Sequence, residues 1–549
     1  MIGAYPIAER RFRAERLFRT ALLSLYFLCV LGFLCVPLRR WVNVYDEGLA
    51  VLNGARVLGG EVPYRDFWTV YPPGQSYALA AAYSLFGKSL LAARAYDTLV
   101  RFLLVVGVYL VGRAIAGRAA ALIVAAFSTL WLGTVGFYSY GVFPALALAL
   151  LATRTSIAFA SSGRYRWLVL SGALVGITAI WRLDIALYLG LALVLSLLGF
   201  TFLRARGERG GGWPARALRA VVVLAGMAAL AGVPVYLWLA AVSGLQPLWQ
   251  QLVVFPSTVL GSVRRLPYPA LVPDVASFLR HSPEYARWAR FVLPLGVYAV
   301  SLVYLGWSAL RARTARQDGQ VRTFGIAAVM LFGVLVYAQA LSRYDWIHVL
   351  PSSIWAALAL GAVVSRVPGR QWARWPVALS LLAVLGLVAI TYIVPPVHDL
   401  DLILKYASPL ACHSSLAIAS CAVVQPDQER AVAFVRARTD EDEPIFVGND
   451  RHNQILINDV MFYFLADRPC PTPYHELHPG VATTLPVQQA IVEDLQAKQV
   501  TWAVTVEWPA STEPNGSAVS SGVHYLDEFI RANYRPTAEY GAYTVWRRH

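Results

Sequence analysis

Apolar residues in this chain come in long unbroken runs, not in the alternating or three-to-four spacing of a soluble fold. A helix of about 20 apolar residues spans the hydrocarbon core of a bilayer. Such runs fall near 20–38, 95–113, 119–136, 140–153, 167–182, 185–203, 220–242, 291–310, 323–341, 349–365 and 375–394. The pattern predicts a polytopic α-helical membrane protein with about eleven transmembrane helices.

The polar connections between the runs fix an expected orientation. Arg113 and Arg118, then Arg154, Arg164 and Arg166, then Arg204, Arg206, Arg209, Arg216 and Arg219 occupy alternate connections. Arg311, Arg313, Arg316 and Arg322, and finally Arg366, Arg370 and Arg374, continue the series. The intervening connections near 137–140, 183–184 and 342–348 are poor in arginine. Arginine-rich loops stay on the cytoplasmic side, so the chain is expected to start inside. An odd number of spans then leaves its C-terminus outside. The basic stretch Arg10–Arg19 leads into the first apolar run without a small-residue cleavage site, which reads as a retained first span.

Three segments on the expected outer side are long. The first, about 40–93, contains two candidate helices, 46–58 and 73–86. Gly59-Gly60 stops the first; Pro72-Pro73 opens the second and Gly87 closes it. Both are too short to span, and Leu49, Leu52 and Val57 on one and Tyr77, Ala81 and Leu85 on the other suit helices lying along the membrane interface. The second outer segment, 243–290, is rich in proline and aromatics and holds Arg264-Arg265. The third, from about 396 to the end, turns abruptly polar. Helical signals at Gln428–Arg438, Val460–Leu465 and Pro486–Lys498 alternate with strand signals at Pro444–Gly448, Thr501–Val506 and Ala542–Trp546. This predicts a small extracytoplasmic α/β domain over 396–549, after a membrane module over 1–395.

Composition agrees with this picture and excludes others. The chain of 549 residues is 57% hydrophobic and only 14% charged, against about 25% charged in soluble domains. Its net charge of +15 comes almost wholly from arginines placed between apolar spans, so no nucleic-acid partner is expected. Cys412 and Cys421 lie on the oxidising side, where a disulfide or free buried thiols both fit. There is no CxxC, no metal-type Cys/His spacing and no phosphate-binding glycine loop.

Chemistry concentrates on the outer side. Asp46-Glu47 directly follows the first span. An acidic pair there caps a helix through its dipole, or supplies a general base with a neighbour that orients a partner. Arg65-Asp66 is a solvated turn or an anion site. Arg94 and Arg101 lie two turns apart on one helical face, and Asp97 is placed to pair with Arg101. Two tight outer turns repeat one theme: Arg182 and Asp184, and Arg343 and Asp345 with His348, which adds a donor or ligates a metal. Each is a local salt bridge or part of a shared site. Arginine forks make paired, charge-assisted bonds to phosphate.

The stretch 45–97, YDEGLAVLNGARVLGGEVPYRDFWTVYPPGQSYALAAAYSLFGKSLLAARAYD, resembles the GT-C membrane glycosyltransferases, in particular the protein mannosyltransferase and aminoarabinose transferase-like group. It shows that group's acidic pair after span one, Gly-Gly, Pro-Tyr-Arg-Asp turn, Pro-Pro-Gly and late arginine. The resemblance implies a polyprenyl-phosphate-linked sugar donor and inverting transfer on the outer face of a bacterial cytoplasmic membrane. The acceptor is a lipid, glycan or protein. It also implies Asp46 as general base with Glu47 beside it, and Arg65, Asp66, Arg94, Arg101, Arg182, Asp184, Arg343, Asp345 and His348 as donor-side residues. The group varies in metal dependence, so a divalent metal stays open as a cofactor. The competing reading is a transporter or flippase of lipid-linked sugars. That reading calls for repeated halves and interrupted central helices, and neither is evident.

Overall fold

A computed structural model describes residues 5–137, 141–208, 212–268, 282–311, 317–365 and 412–549. In a bilayer every backbone polar group must be satisfied within the chain, and a helix does this segment by segment. The apolar runs accordingly form α1 (Tyr5–Cys35), α4 (Leu90–Ile115), α5 (Arg118–Thr134), α6 (Val142–Ser162), α7 (Tyr165–Trp181), α8 (Leu183–Glu208) and α9 (Trp213–Ser243). Helices Ser282–Arg311, Gln317–Val336 and Trp346–Val364 complete the set. Eight apolar helices among the described residues are long enough to cross a membrane; α5 and α7 are apolar but shorter. Ten of the expected spans therefore have helices, and the run 375–394 lies outside the described residues.

α4 is one of the inner helices of the bundle. The most apolar window of α4 is 61% buried, against 17% for α1 and for α9, which places the latter two on the periphery. Leu104, Val105, Val108 and Val111 of α4 meet Leu132 of α5, Leu146 and Leu150 of α6, and Ile354 and Leu358 of the helix Trp346–Val364 in one core. Small residues let helices approach without a hydrophobic driving force. At Gly176 of α7 an added Cβ would lie 2.2 Å from Ala228 O of α9, so no side chain fits there.

The segment 40–93, the first of those expected on the outer side, folds as expected into α2 (Asp46–Leu58) and α3 (Gly74–Phe86). Its burial differs from expectation for α2. Leu49 and Leu52, read as membrane-facing, are 4% and 5% exposed. They are covered by α3 and by the short helix Met461–Ala466. Protein, not lipid, supplies their apolar partner. On α3 the opposite holds: Leu85 is 75% exposed, beside the exposed Ala81.

The C-terminal domain carries a four-stranded sheet, β1 (Ile445–Asn449), β2 (Trp502–Val506), β3 (Tyr534–Tyr540) and β4 (Tyr543–Arg548), in the order β1-β2-β4-β3. β1 and β2 are parallel, with Ile445 opposite Trp502, and the other pairs are antiparallel. Helices Pro426–Arg436, Met461–Ala466 and Leu485–Ala497 match the sequence expectation, whereas Tyr525–Asn533 and β3 do not appear in it. β3 is an edge strand with mostly exposed polar residues and a proline, so it lacks the apolar alternation that marks a half-buried strand. Cys412 and Cys421 are bridged.

This domain is fused to the first outer segment through a shared core. Leu49, Val51 and Leu52 of α2 and Leu79 and Tyr83 of α3 pack with Val460, Met461, Phe462 and Phe464. A Cβ at Gly48 would sit 2.5 Å from Met461 N. Gly48→Ala is therefore expected to prise the domain from α2, at a cost of about 1–3 kcal/mol typical of overpacking. Thermal unfolding in detergent measures it, and an unchanged melting temperature would contradict the contact.

Candidate functional site

Asn43 sets the geometry at the start of α2. Its Oδ1 accepts the backbone N–H of Tyr45 (3.1 Å) and of Asp46 (2.8 Å), and its Nδ2 donates to Asp46 Oδ2 at 3.3 Å. Asp46 and Glu47 thus occupy the first helical turn, where the dipole favours negative charge. They then diverge. Asp46 is half-buried, whereas Glu47 is fully buried beneath it.

Glu47 is committed to Arg94. The pair is bidentate, Nε to Oε1 at 2.7 Å and Nη2 to Oε2 at 2.9 Å. Arg94 also donates to Leu38 O (2.8 Å), Arg40 O (2.9 Å) and Trp41 O (3.3 Å). All the guanidinium donors are used. Arg101 is buried in a similar setting. It bonds Asp97 Oδ2 at 2.6 Å, the carbonyls of Val135 (2.9 Å) and Gly136 (2.7 Å), and that of Leu132. Both arginines stack on Phe137. Both are expected from the resemblance to lie on the donor side; in the structure each is buried among carbonyls and a carboxylate, Arg94 against the residues after the first span and Arg101 against the end of α5.

Arg65 and Asp66 form a pair in their own loop, with bonds of 2.9 and 2.7 Å. Asp66 Oδ2 also accepts Val62 N–H at 2.7 Å, and Arg56 Nη2 donates to Asp66 O at 3.0 Å. Arg56 in turn contacts His475 Nδ1 at 3.1 Å. Arg65 itself is about half-exposed.

The two Arg-x-Asp turns come together at one end of the bundle, with the C-terminal domain. Arg182 makes a fork to Asp184 at 2.9 and 2.7 Å, and Gln339 Nε2 donates to Asp184 Oδ2 at 2.7 Å. Arg343 is the junction. It bonds Asp345 Oδ2 (2.9 Å), both oxygens of Glu513 in the C-terminal domain (3.0 and 2.5 Å), and Arg264 O (2.7 Å). Asp345 also caps the following helix through His348 N–H (3.1 Å) and holds His348 Nδ1 at 2.6 Å. No group of three or more His, Cys, Asp or Glu residues converges on a metal position among the described residues.

Sequence reading passed over four residues that line the Asp46 side: Tyr45, Tyr71, Arg264 and Glu476. The Tyr45 hydroxyl donates to Glu476 Oε1 at 2.9 Å, and Arg264 Nη2 donates to the Tyr45 oxygen at 3.3 Å. Arg264 lies over the Tyr45 ring at 5.7 Å. Burial pushes both tyrosine hydroxyls up, and the nearby charges of Glu476 and Asp46 add to this. Arg182 and Arg264 act on Tyr71 in the opposite sense. Burial also raises the Glu476 carboxyl to about 7, partly opposed by its bond to Tyr45 and by Arg264. Asp46, Tyr45, Tyr71, Glu476, Arg264 and Arg182 therefore share one electrostatic neighbourhood. Among the described residues, Arg264 alone of these arginines has no carboxylate within salt-bridge distance. Two signals pointed here: the adjacent pair Arg264-Arg265 in the proline- and aromatic-rich segment 243–290, and the polar run Tyr474–Gly480.

Compared with solved structures, the chain is similar to ArnT from Cupriavidus metallidurans. One ArnT structure is bound to undecaprenyl phosphate and matches with a TM-score of 0.54 and 17% identity, over 96% of this chain and 98% of that one. The apo structure matches with a TM-score of 0.53, again at 17% identity over 96% and 98%. The apo oligosaccharyltransferase of Archaeoglobus fulgidus matches with a TM-score of 0.51 and 13% identity, over 88% of this chain and 69% of that one. No protein-family model and no curated protein sequence matches. The likeness establishes the GT-C membrane fold along nearly the whole chain, C-terminal domain included.

Proposed function

We propose that this protein is an integral membrane glycosyltransferase. It moves a sugar from a polyprenyl-phosphate carrier to an acceptor hydroxyl at the outer face of the bacterial cytoplasmic membrane. The carrying observation is the presence, in one neighbourhood, of a half-buried carboxylate on a helix N-terminus and an arginine with no carboxylate within salt-bridge distance among the described residues. The shared fold supports the reading, since ArnT with that fold is found bound to undecaprenyl phosphate.

In this reading Asp46 accepts the proton of the acceptor hydroxyl. The acceptor oxygen attacks the anomeric carbon from the side opposite the phosphate, and the bond from that carbon to the phosphate oxygen breaks. One displacement inverts the anomeric configuration. The electron pair leaves on the carrier phosphate, where Arg264 neutralises the growing charge. Arg182 and Arg343, neutralised by Asp184, Asp345 and Glu513, hold the surrounding loops in place.

Purified protein in detergent is expected to transfer label from a polyprenyl-phosphate sugar. Absence of transfer with every donor, combined with movement of lipid-linked sugar across reconstituted vesicles, would replace this reading with a transporter. Arg264→Ala is expected to lower kcat/KM for the donor roughly 10–100-fold, as a charge-assisted hydrogen bond of about 1.5–3 kcal/mol implies. An unchanged kcat/KM for the donor would remove Arg264 from the phosphate site.

A further inference from the structure

Three contacts tie the C-terminal domain to the turn that carries Asp46. Met461 N–H donates to Val44 O at 2.9 Å. The Met461 backbone leaves no room for a side chain at Gly48. The third contact is the 2.9 Å bond from the Tyr45 hydroxyl to Glu476 Oε1. Glu476 is 2% exposed, and its Oε2 has no hydrogen-bond partner among the described residues. A buried carboxyl oxygen without a donor is costly unless it has a use.

The groups that face Glu476 come from several elements. Tyr45 and Asp46 open α2, Tyr71 precedes α3, and Arg264 lies in the outer segment after α9. His475 and His478 belong to its own loop. Burial and a nearby arginine keep His475 far below its usual range and lower His478 to about 3, so both are neutral. The changing charges near the base are thus Glu476 itself and the bound substrate.

We propose that Glu476, supplied by the C-terminal domain, is a positioning residue for Asp46. Acting through the Tyr45 hydroxyl, it fixes the start of α2 and sets the charge beside which Asp46 works. The path is short: Tyr45 and Asp46 are neighbours, and both hang their backbone N–H on Asn43 Oδ1. With its proton on, Glu476 accepts from Tyr45 through Oε1 and offers a donor through Oε2. Once ionised, it places a second negative charge near Asp46. Glu476 passes through this change at about pH 7.

This inference rests on the reading of Asp46 as the base, and the test separates the two. Wild type, Glu476→Gln, Glu476→Ala and Tyr45→Phe are assayed for transfer from a polyprenyl-phosphate sugar between about pH 5.5 and about pH 8.5. Glu476→Ala and Tyr45→Phe are expected to lose roughly tenfold in kcat with donor KM unchanged. Glu476→Gln restores most of that rate, because its amide oxygen accepts the same bond. The wild-type profile shows a break near pH 7 that Glu476→Gln lacks. Wild-type kcat in Glu476→Ala, or the same break in Glu476→Gln, overturns the proposal.

Hydrogen exchange over residues 43–48 gives a readout that needs no turnover. Exchange speeds up in Glu476→Ala and returns to the wild-type rate in Glu476→Gln; unchanged protection in Glu476→Ala overturns the positioning role. Asp46→Asn with wild-type transfer would defeat the base reading alone, whatever the exchange data show.

Discussion

Asp46→Asn is expected to reduce kcat for sugar transfer by roughly 10²–10⁴-fold, the range a positioned general base contributes. The substitution is close to isosteric. Its side-chain oxygen can still accept from Asn43 Nδ2, as Asp46 Oδ2 does at 3.3 Å. The buried pair beneath is untouched, because Glu47 holds Arg94 on its own. What disappears is a negative charge in the first turn of α2, worth about 0.3–1 kcal/mol to the helix. The variant should therefore melt nearly as wild type does and bind donor with little change in KM while failing to turn over. Transfer within a few-fold of wild type would end the assignment. A parallel collapse in melting temperature would show that Asp46 serves the fold rather than the reaction.

The largest effect on stability is expected one residue on. Arg94→Met strands the Glu47 carboxylate where it is 0% exposed, and it removes the guanidinium bonds to the carbonyls of Leu38, Arg40 and Trp41. Breaking one half of a buried ion pair costs about 3–5 kcal/mol, more than most single substitutions in a core. Pairing Arg94→Met with Glu47→Gln removes the stranded charge and should recover part of the loss. Thermal unfolding of the two single variants and the double variant in detergent measures the coupling. Additive effects, or a single Arg94→Met variant as stable as wild type, would show that the pair does not hold the first outer segment. The two experiments also divide the acidic pair by role: Asp46 should govern rate, and Glu47 should govern folding.

That division was not visible in the linear chain. Asp46 and Glu47 are adjacent carboxylates in the same sequence environment, and the resemblance at 45–97 covers both. Their side chains leave the helix about 100° apart, so one meets the site and the other meets α4. The partners of the arginines were hidden for a similar reason. Arg94 and Arg101 share a helical face, as their spacing requires, but that face turns into carbonyls exposed where α5 ends and where the first span unwinds. Periodicity gives the face and leaves its partner undetermined.

Local features were legible. Gly59-Gly60 and Pro72-Pro73 gave the boundaries of α2 and α3 to within a residue, since stopping and starting signals act on the backbone where they occur. The spans were equally plain, because a bilayer demands length and apolarity from each segment separately. The strands at 445–449 and 502–506 showed through as buried apolar runs.

By itself, then, the sequence determined the membrane class, ten helices that the described residues contain, the α/β character of the C-terminal domain and the acidic start of α2. Each of these depends on interactions within a few residues or between a segment and its solvent. Tertiary structure alone decided which charge meets which partner. It buried Arg94 and Arg101 against carbonyls, and it brought Arg343 to Glu513 across 170 residues. It carried Glu476 over 431 residues to Tyr45 and left Arg264 without a carboxylate partner among the described residues. Ion pairing and desolvation depend on which atoms meet in space, and no spacing along the chain encodes that for residues hundreds of positions apart.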